Sequence, residues 1–258
     1  MRVYLSRWVC LDVDSNLTRC AEEASTAAAA GADVMVFPES FLHGYSRTVD
    51  PLLARAHFGR VSEEHPGMVF VFGSFSEDRR NRMTLWRQGC ELGHYDKVHL
   101  FAPNGERALW GEGDRYAAVD LGGWTLGLMN CNDLRFPEQA RALRLHGGCR
   151  MLAVVGWWPW RRDHVWRTLL RARALENGVW VLGCCVAASQ WPTEHFAGAG
   201  NYVFDPLGNH VPTADDRVFD INFERQPELV VDSAADFRPI TTLELFNATG
   251  SREVAIPG

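Results

Sequence analysis

The sequence predicts a single mixed α/β domain. Strand-like and helix-like segments alternate along most of the chain, with no linker and no change of composition between them. A length of 258 residues, with 47% apolar and 22% charged side chains, is enough for one sizeable core and typical of a soluble globular chain. Length alone also allows two small domains, and the unbroken alternation favours one. The expected domain covers residues 1–225. Residues 226–258 have weak periodicity and read as an irregular C-terminal tail, of the kind that packs on a partner subunit or stays mobile.

Residues 2–10 (RVYLSRWVC) read as the first strand, and Ser15 then precedes NLTRCAEEASTAAAA, whose apolar spacing and closing Gly31 suit a helix. DVMVF (33–37) is a short apolar strand stopped by Pro38, with Glu39 at its carboxyl end. MVFVFGSF (68–75) is the next strand, and MTLWRQGCELGHYDKVHL (83–100) reads as two strands about a Gln88-Gly89 turn. A loop rich in Gly, Pro and charge (102–115) leads to YAAVDLGGWTLGLMN (116–130), a hairpin turning at Gly122-Gly123. Beyond it, FPEQARALRLHG (136–147) reads as a helix, RMLAVV (150–155) as a strand and DHVWRTLLRARALENG (163–178) as an amphipathic helix. VWVLGCC (179–185) is a buried strand, and NYVFDPLGNHV (201–211) with RVFDINF (217–223) reads as a further hairpin region. No internal repeat is present.

Several function classes are disfavoured at this level. A net charge of -6 and the absence of a long basic run argue against a nucleic-acid surface. The opening residues are interrupted by Arg7, Asp12 and Asp14, unlike a signal peptide, and no apolar run reaches membrane-spanning length, so the expectation is a cytoplasmic protein with no membrane partner. Seven cysteines, an odd number without paired spacing, suit free thiols in a reducing compartment. Neither a C-x-x-C motif nor a histidine cluster points to a metal, and no cofactor is implied. The most unusual feature is that 25 of the 26 basic side chains are arginine and Lys97 is the only lysine. Its retention is either chance or a need for a compact ammonium that guanidinium cannot mimic.

GLMNCNDLRFPEQAR places Cys131 at a strand-to-helix elbow, where a sulfur stands above the sheet edge and nearby backbone N–H groups can face an oxyanion. A free thiol is only slightly ionised at neutral pH, so a useful nucleophile needs an adjacent base or cation. Glu39 and Lys97, each read at the carboxyl end of a strand, are candidates for those partners. Taken singly, each also reads as an ordinary surface charge.

Together, FPESFLHGYS, YDKVHLF and CNDLRFPEQARAL resemble, in order, the three signature segments of the nitrilase (carbon-nitrogen hydrolase) superfamily. LLRARALENGVWVLGC and NYVFDPLG resemble later segments of it, so the resemblance covers roughly residues 1–220. It implies a four-layer αββα sandwich that pairs into a homodimer or higher homo-oligomer. It also implies a catalytic Glu-Lys-Cys set, with Glu39 as general base, Lys97 as electrostatic stabiliser and Cys131 as nucleophile. Glu106 matches a second acidic position that orients the lysine or the amide, with Glu112 a weaker candidate; both also read as solvated loop carboxylates. The C-x-D-L-R-F-P segment resembles the amidases, ω-amidases in particular, more than true nitrilases, and implies hydrolysis of a small carboxylate-bearing amide through a cysteine thioester.

Arg135 matches a motif arginine that can face the pocket and pair with a substrate carboxylate, or else forms a structural ion pair, for example with Asp133. Trp157 matches a pocket-lining aromatic position, with Trp158 and Trp160 close by. Three features depart from the family pattern. Asn132 stands where Tyr or Trp is usual, which either widens the pocket mouth or rebuilds its hydrogen bonds. GWWPWRRDH (156–164) is rich in Trp and Arg and reads as a packed loop or as a wall for a larger anionic or aromatic substrate. The interval from Glu39 to Lys97 is short, which opens one side of the site. Two other readings stay open: an N-carbamoyl amide hydrolase or acyltransferase, and a diverged binding subunit of the same fold.

Overall fold

The computed structural model describes residues 1–190, 196–223, 238, 242–247 and 250–255. Strand β1 (Arg2–Leu5) ends earlier than the sequence predicts, and β2 (Val9–Cys10) belongs to a different sheet. The single strand expected over 2–10 is therefore corrected. The chain turns away after Leu5 because Trp8 is wholly buried and its Nε1 donates to Phe41 O at 2.8 Å.

Helix α1 (Val13–Ala29) starts before Ser15, because its N-cap is Asp12, whose side chain accepts from Ser15 N at 2.9 Å. β3 (Val34–Val36) precedes a helix absent from the sequence reading, α2 (Pro51–Glu64), with Asp50 as N-cap and Pro51 at its first position. β4 (Val69–Glu77), β5 (Arg80–Arg87) and β6 (Cys90–Asp96) form a meander. The β5–β6 turn is the expected one, with Gln88 and Gly89 both at positive φ.

The segment read as a loop contains a short helix, α3 (Glu106–Leu109), which carries Glu106. β7 (Ala117–Asp120) and β8 (Thr125–Asn130) make the predicted hairpin. α4 (Pro137–Leu145), β9 (Met151–Gly156), α5 (Asp163–Asn177) and β10 (Trp180–Cys185) follow as expected. β11 (Ala188–Ser189) and β12 (Phe196–Ala197) join β2 in a small sheet.

β13 (Tyr202–Phe204) and β14 (Val218–Asp220) do not pair with each other. β13 runs antiparallel to β10 and β14 antiparallel to β1, so the late hairpin is corrected to two edge strands on two sheets. In the tail, β15 (Thr242–Asn247) and β16 (Gly250–Ala255) form an antiparallel ribbon where an irregular segment was expected. The reading of 226–237 as tail, and of the tail as packed on a partner or mobile, lies outside the described residues.

The two large sheets have the orders β14-β1-β3-β4-β5-β6 and β13-β10-β9-β8-β7. Their facing sides share one apolar cluster, with Val3, Val34, Val71 and Leu85 from the first and Leu128, Ala153 and Leu182 from the second. A second cluster buries α1 and α2 on the first sheet, and a third buries α4 and α5 on the second. The layers are therefore α, β, β, α, the four-layer sandwich that the family resemblance implies. β1, β3 and β4 are parallel, and two reversals bring β6 back to the same direction; β8, β9 and β10 are parallel in the other sheet. The segments after β3, β6, β8 and β9 are those on which the predicted site residues lie. No helix among the described residues is long and apolar enough to cross a membrane.

Candidate active site

Glu39 is placed by a close backbone approach. Pro38 lies directly on β4 at Gly73, where a Cβ would stand 1.8 Å from Pro38 O, and only glycine leaves that room. Ser74 Oγ then accepts from Ser40 N at 3.0 Å, and Ser40 adopts φ +49°, a left-handed conformation that turns the chain just after Glu39. The Glu39 side chain is fully buried. Its Oε1 accepts from Lys97 Nζ at 2.8 Å and from Asn81 Nδ2 at 3.0 Å, while Oε2 has no hydrogen-bond partner among the described residues.

Lys97, the first residue after β6, is also fully buried. Its ammonium lies 2.8 Å from Glu39 and 2.9 Å from Glu106. Glu106 in turn accepts from Tyr45 Oη at 3.0 Å and from Phe101 N at 2.8 Å. Burial works against the Lys97 charge, but Glu39, Cys131 and Glu106 outweigh it and hold the ammonium more firmly protonated than usual. Burial raises the Glu106 carboxyl above its ordinary range, Lys97 opposes this, and Glu39 adds to it.

Cys131 follows β8 and opens a 3-10 turn, Cys131–Arg135, with φ +55° at the cysteine itself. A non-glycine residue in that region stores roughly 1–3 kcal/mol of strain and needs its surroundings to hold it. Asp133 does this. Its buried carboxylate accepts from Asn130 N and Tyr95 Oη, both at 2.8 Å, and from His99 N at 2.9 Å, with His99 Nδ1 at 2.8 Å. Asp133→Ala would leave these buried donors without an acceptor. It is expected to cost about 2–4 kcal/mol, from the usual desolvation penalty of unpaired buried donors, and to slow turnover, read as a lower Tm together with a lower kcat.

The thiol is 8% exposed and is pushed well above its ordinary range by burial, then by Glu39; Lys97 pulls it down, and Glu106 adds a further push upward. The resting nucleophile is therefore a neutral thiol beside a carboxylate. Asn81 links the two, since its Oδ1 accepts from Asn130 Nδ2 at 3.1 Å while its amide holds Glu39.

Above Cys131 opens a cavity of about 560 Å³, lined by Tyr45, Phe101, Glu106, Asn132 and Trp157 among others. Asn132 meets the cavity, but its Nδ2 is engaged by His99 O at 3.1 Å and Leu100 O at 3.4 Å. These bonds are of the kind expected where an asparagine replaces the aromatic residue. Trp157 packs edge-on to Tyr45 at 5.5 Å and against Phe196 at 5.2 Å. Trp158 is nearly buried beneath Arg135, whose guanidinium lies 4.5 Å from the indole centroid.

The alternative ion pair between Arg135 and Asp133 is corrected, because Asp133 is occupied by Asn130, Tyr95 and His99. Glu112 is also set aside: it is exposed and pairs with Arg107 at 3.0 Å. The GWWPWRRDH segment serves both readings, with Trp157 and Trp158 packed and Trp160, Arg161 and Arg162 on the cavity wall. Sequence reasoning missed Asn81, Tyr45, Phe101 and Asp133. Tyr45 stands in the quoted FLHGYS segment, Phe101 at the end of YDKVHLF and Asp133 in CNDLRFP, whereas Asn81 carries no local signal. A second cavity, of about 670 Å³ and lined by Asp163, Arg167 and His210, contains none of the predicted site residues. Among the described residues, no group of three or more His, Cys, Asp or Glu side chains is arranged to hold a metal ion.

The family profile described as carbon-nitrogen hydrolase matches residues 3–218. The chain belongs to the carbon-nitrogen hydrolase family. Similar proteins include omega-amidase YafV of Escherichia coli K12, 31% identical over 192 residues that cover 72% of this chain and 73% of that one. The 2-oxoglutaramate amidase of Bacillus subtilis is 31% identical over 189 residues, 69% of this carbon-nitrogen hydrolase and 71% of its relative. Among solved structures, a mutant of the amidase from Nesterenkonia sp. AN1 in complex with butyramide superposes with a TM-score of 0.79 at 24% identity, covering 92% and 94% of the two chains. Nit3 of Saccharomyces cerevisiae, a nitrilase-superfamily member, gives a TM-score of 0.76 at 22% identity over 93% and 95%. At these identities the structural likeness speaks for the fold.

Proposed function

We propose that this carbon-nitrogen hydrolase is an amidase that cleaves a small carboxylate-bearing amide through a thioester on Cys131. The observation that carries this is the buried cluster of Glu39, Lys97 and Glu106 gathered beside a thiol at the floor of an open cavity. Glu39, with one oxygen held by Lys97 and Asn81 and the other unpartnered, takes the thiol proton as the sulfur attacks the amide carbonyl. The same proton passes to the departing nitrogen, releasing ammonia or an amine. Water then cleaves the thioester, with Glu39 again accepting a proton.

Lys97 carries three N–H donors and gives two of them to carboxylates, which leaves one for the oxyanion alongside the backbone N–H of Asn132. Glu106 fixes the lysine head. The names of the E. coli and B. subtilis relatives support an ω-amide substrate, and Arg135 supplies a guanidinium for its carboxylate. We place the enzyme in the cytoplasm, a setting that suits seven cysteines not joined in disulfides, and assign it the homodimer that the family resemblance implies.

The test is ammonia release from a panel of ω-amides, N-carbamoyl compounds and nitriles. Turnover of ω-amides above the other classes, falling to background in Cys131→Ala with an unchanged circular dichroism spectrum, is the expected result. Preference for nitriles or carbamoyl compounds, or full activity in the alanine variant, would overturn the reading.

A further inference from the structure

We propose that Arg135 and Arg162 together form a seat for an acyl chain bearing two negative charges at the end distal to the scissile amide, with Arg162 as a specificity-determining residue. The inference rests on the amidase reading above and names the substrate class of the same cavity. Arg135 comes from the turn that opens with Cys131, and Arg162 from the turn Trp160–Arg162 that follows β9; both line the cavity. Each guanidinium is braced on an aromatic ring, Arg135 on Trp158 at 4.5 Å and Arg162 near Phe101 at 5.9 Å.

Neither arginine has a carboxylate partner among the described residues. Other arginines in the fold are paired, as Arg82 is with Glu77 at 2.6 Å and Asp96 at 2.7 Å, but among the described residues Arg135 and Arg162 make no ion pair. The described acidic groups at the cavity and beside Arg162 are committed elsewhere. Glu106 holds Lys97, Tyr45 Oη and Phe101 N, while Asp163, adjacent to Arg162, accepts from Tyr202 Oη at 2.7 Å and Gly200 N at 2.8 Å. The two cations are close enough to influence each other: Arg135 is made easier to deprotonate, first by burial and then by Arg162. The indole Nε1 of Trp158, beneath Arg135, is likewise buried and has no acceptor among the described residues.

One carboxylate closes bidentately on one guanidinium. A singly charged acyl chain would neutralise one arginine and leave the other uncompensated beside it; two charges neutralise both. The rim adds a third, exposed cation, Arg161, and the cavity of about 560 Å³ has room for a branched anionic end. Arg162 and Arg161 belong to the tryptophan- and arginine-rich segment that departs from the family pattern.

The experiment compares ω-amides of equal length ending in a neutral group, one carboxylate or two carboxylates, as kcat/KM for the wild type, Arg162→Gln and Arg135→Gln. The expected result is a preference for the dicarboxylate over the monocarboxylate in the wild type. In Arg162→Gln that ratio should collapse by about 10- to 100-fold, the scale of a lost charge-assisted hydrogen-bond pair. A monocarboxylate preferred by the wild type, or a ratio that Arg162→Gln leaves unchanged, would overturn the proposal. Calorimetry of the amide-free dicarboxylate and monocarboxylate on Cys131→Ala separates this inference from the amidase reading. Tighter dicarboxylate binding with no amide hydrolysed by the wild type would uphold the seat and refute the amidase, whereas equal binding of the two acids would refute the seat alone.

Discussion

The Glu39→Gln enzyme is expected to lose amide turnover by about 10²- to 10⁴-fold, the usual worth of a positioned general base, while its Cys131 becomes more reactive toward a small neutral thiol reagent. The two effects have opposite signs for one physical reason. In the native site the thiol is pushed up by burial and then by the Glu39 carboxylate, and only Lys97 pulls it down. Glutamine removes the upward push of Glu39 and leaves the downward pull of Lys97, so the thiol titrates at lower pH and a larger fraction is thiolate near neutrality. Methyl methanethiosulfonate labelling across pH 6–9, run beside ammonia release, measures both. Labelling that slows in step with turnover would show that Glu39 does not hold the thiol in its neutral form.

Lys97→Met is expected to lower turnover by about 10²- to 10³-fold through the lost oxyanion donor and to destabilise the fold by roughly 3–5 kcal/mol, because two buried carboxylates lose the buried cation they share. The stability loss should depend on pH in a defined sense. Glu106 already has a raised carboxyl in the native protein, and without Lys97 it rises further. A carboxyl whose folded pKa exceeds its unfolded value adds stability at low pH and loses it as pH climbs through the folded value. The gap in Tm between wild type and variant should therefore narrow as pH falls toward 4.5, the ordinary value for this group. Adding Glu106→Gln to Lys97→Met should recover part of the Tm but not the turnover. A gap that is constant with pH would contradict the electrostatic role given to the lysine.

The lone lysine illustrates how much of the site could be read from sequence. Glu39, Lys97 and Cys131 each follow a strand within a short distinctive segment, so motif and local pattern reinforce each other there. Asn81 was not visible, because a strand asparagine becomes a site residue only when the meander folds onto Glu39; Phe101 closes the quoted YDKVHLF segment, but its contact with Glu106 exists only once the following loop folds back. Asp133 lay in plain view within CNDLRFP, yet its role in holding a strained cysteine depends on Tyr95 and His99 from the other sheet. The fold shows the same division. The β5–β6 and β7–β8 turns were legible because Gln-Gly and Gly-Gly fix their own backbone. β13 and β14 were misread as one hairpin because two short strands close in sequence carry no mark of which sheet will claim them. Helix α2 was missed although Asp50-Pro51 is a local start signal; with a weakly amphipathic body, that signal was all it offered.

The central claim is that catalysis runs through a covalent bond to Cys131, and rapid acid quench of a reacting ω-amide followed by peptide mass spectrometry tests it most directly. The peptide containing Cys131 should carry the acyl group as a thioester early in turnover, and the adduct should vanish when substrate is exhausted. Steady hydrolysis with no adduct on that peptide, or an adduct on another of the seven cysteines, would contradict the account.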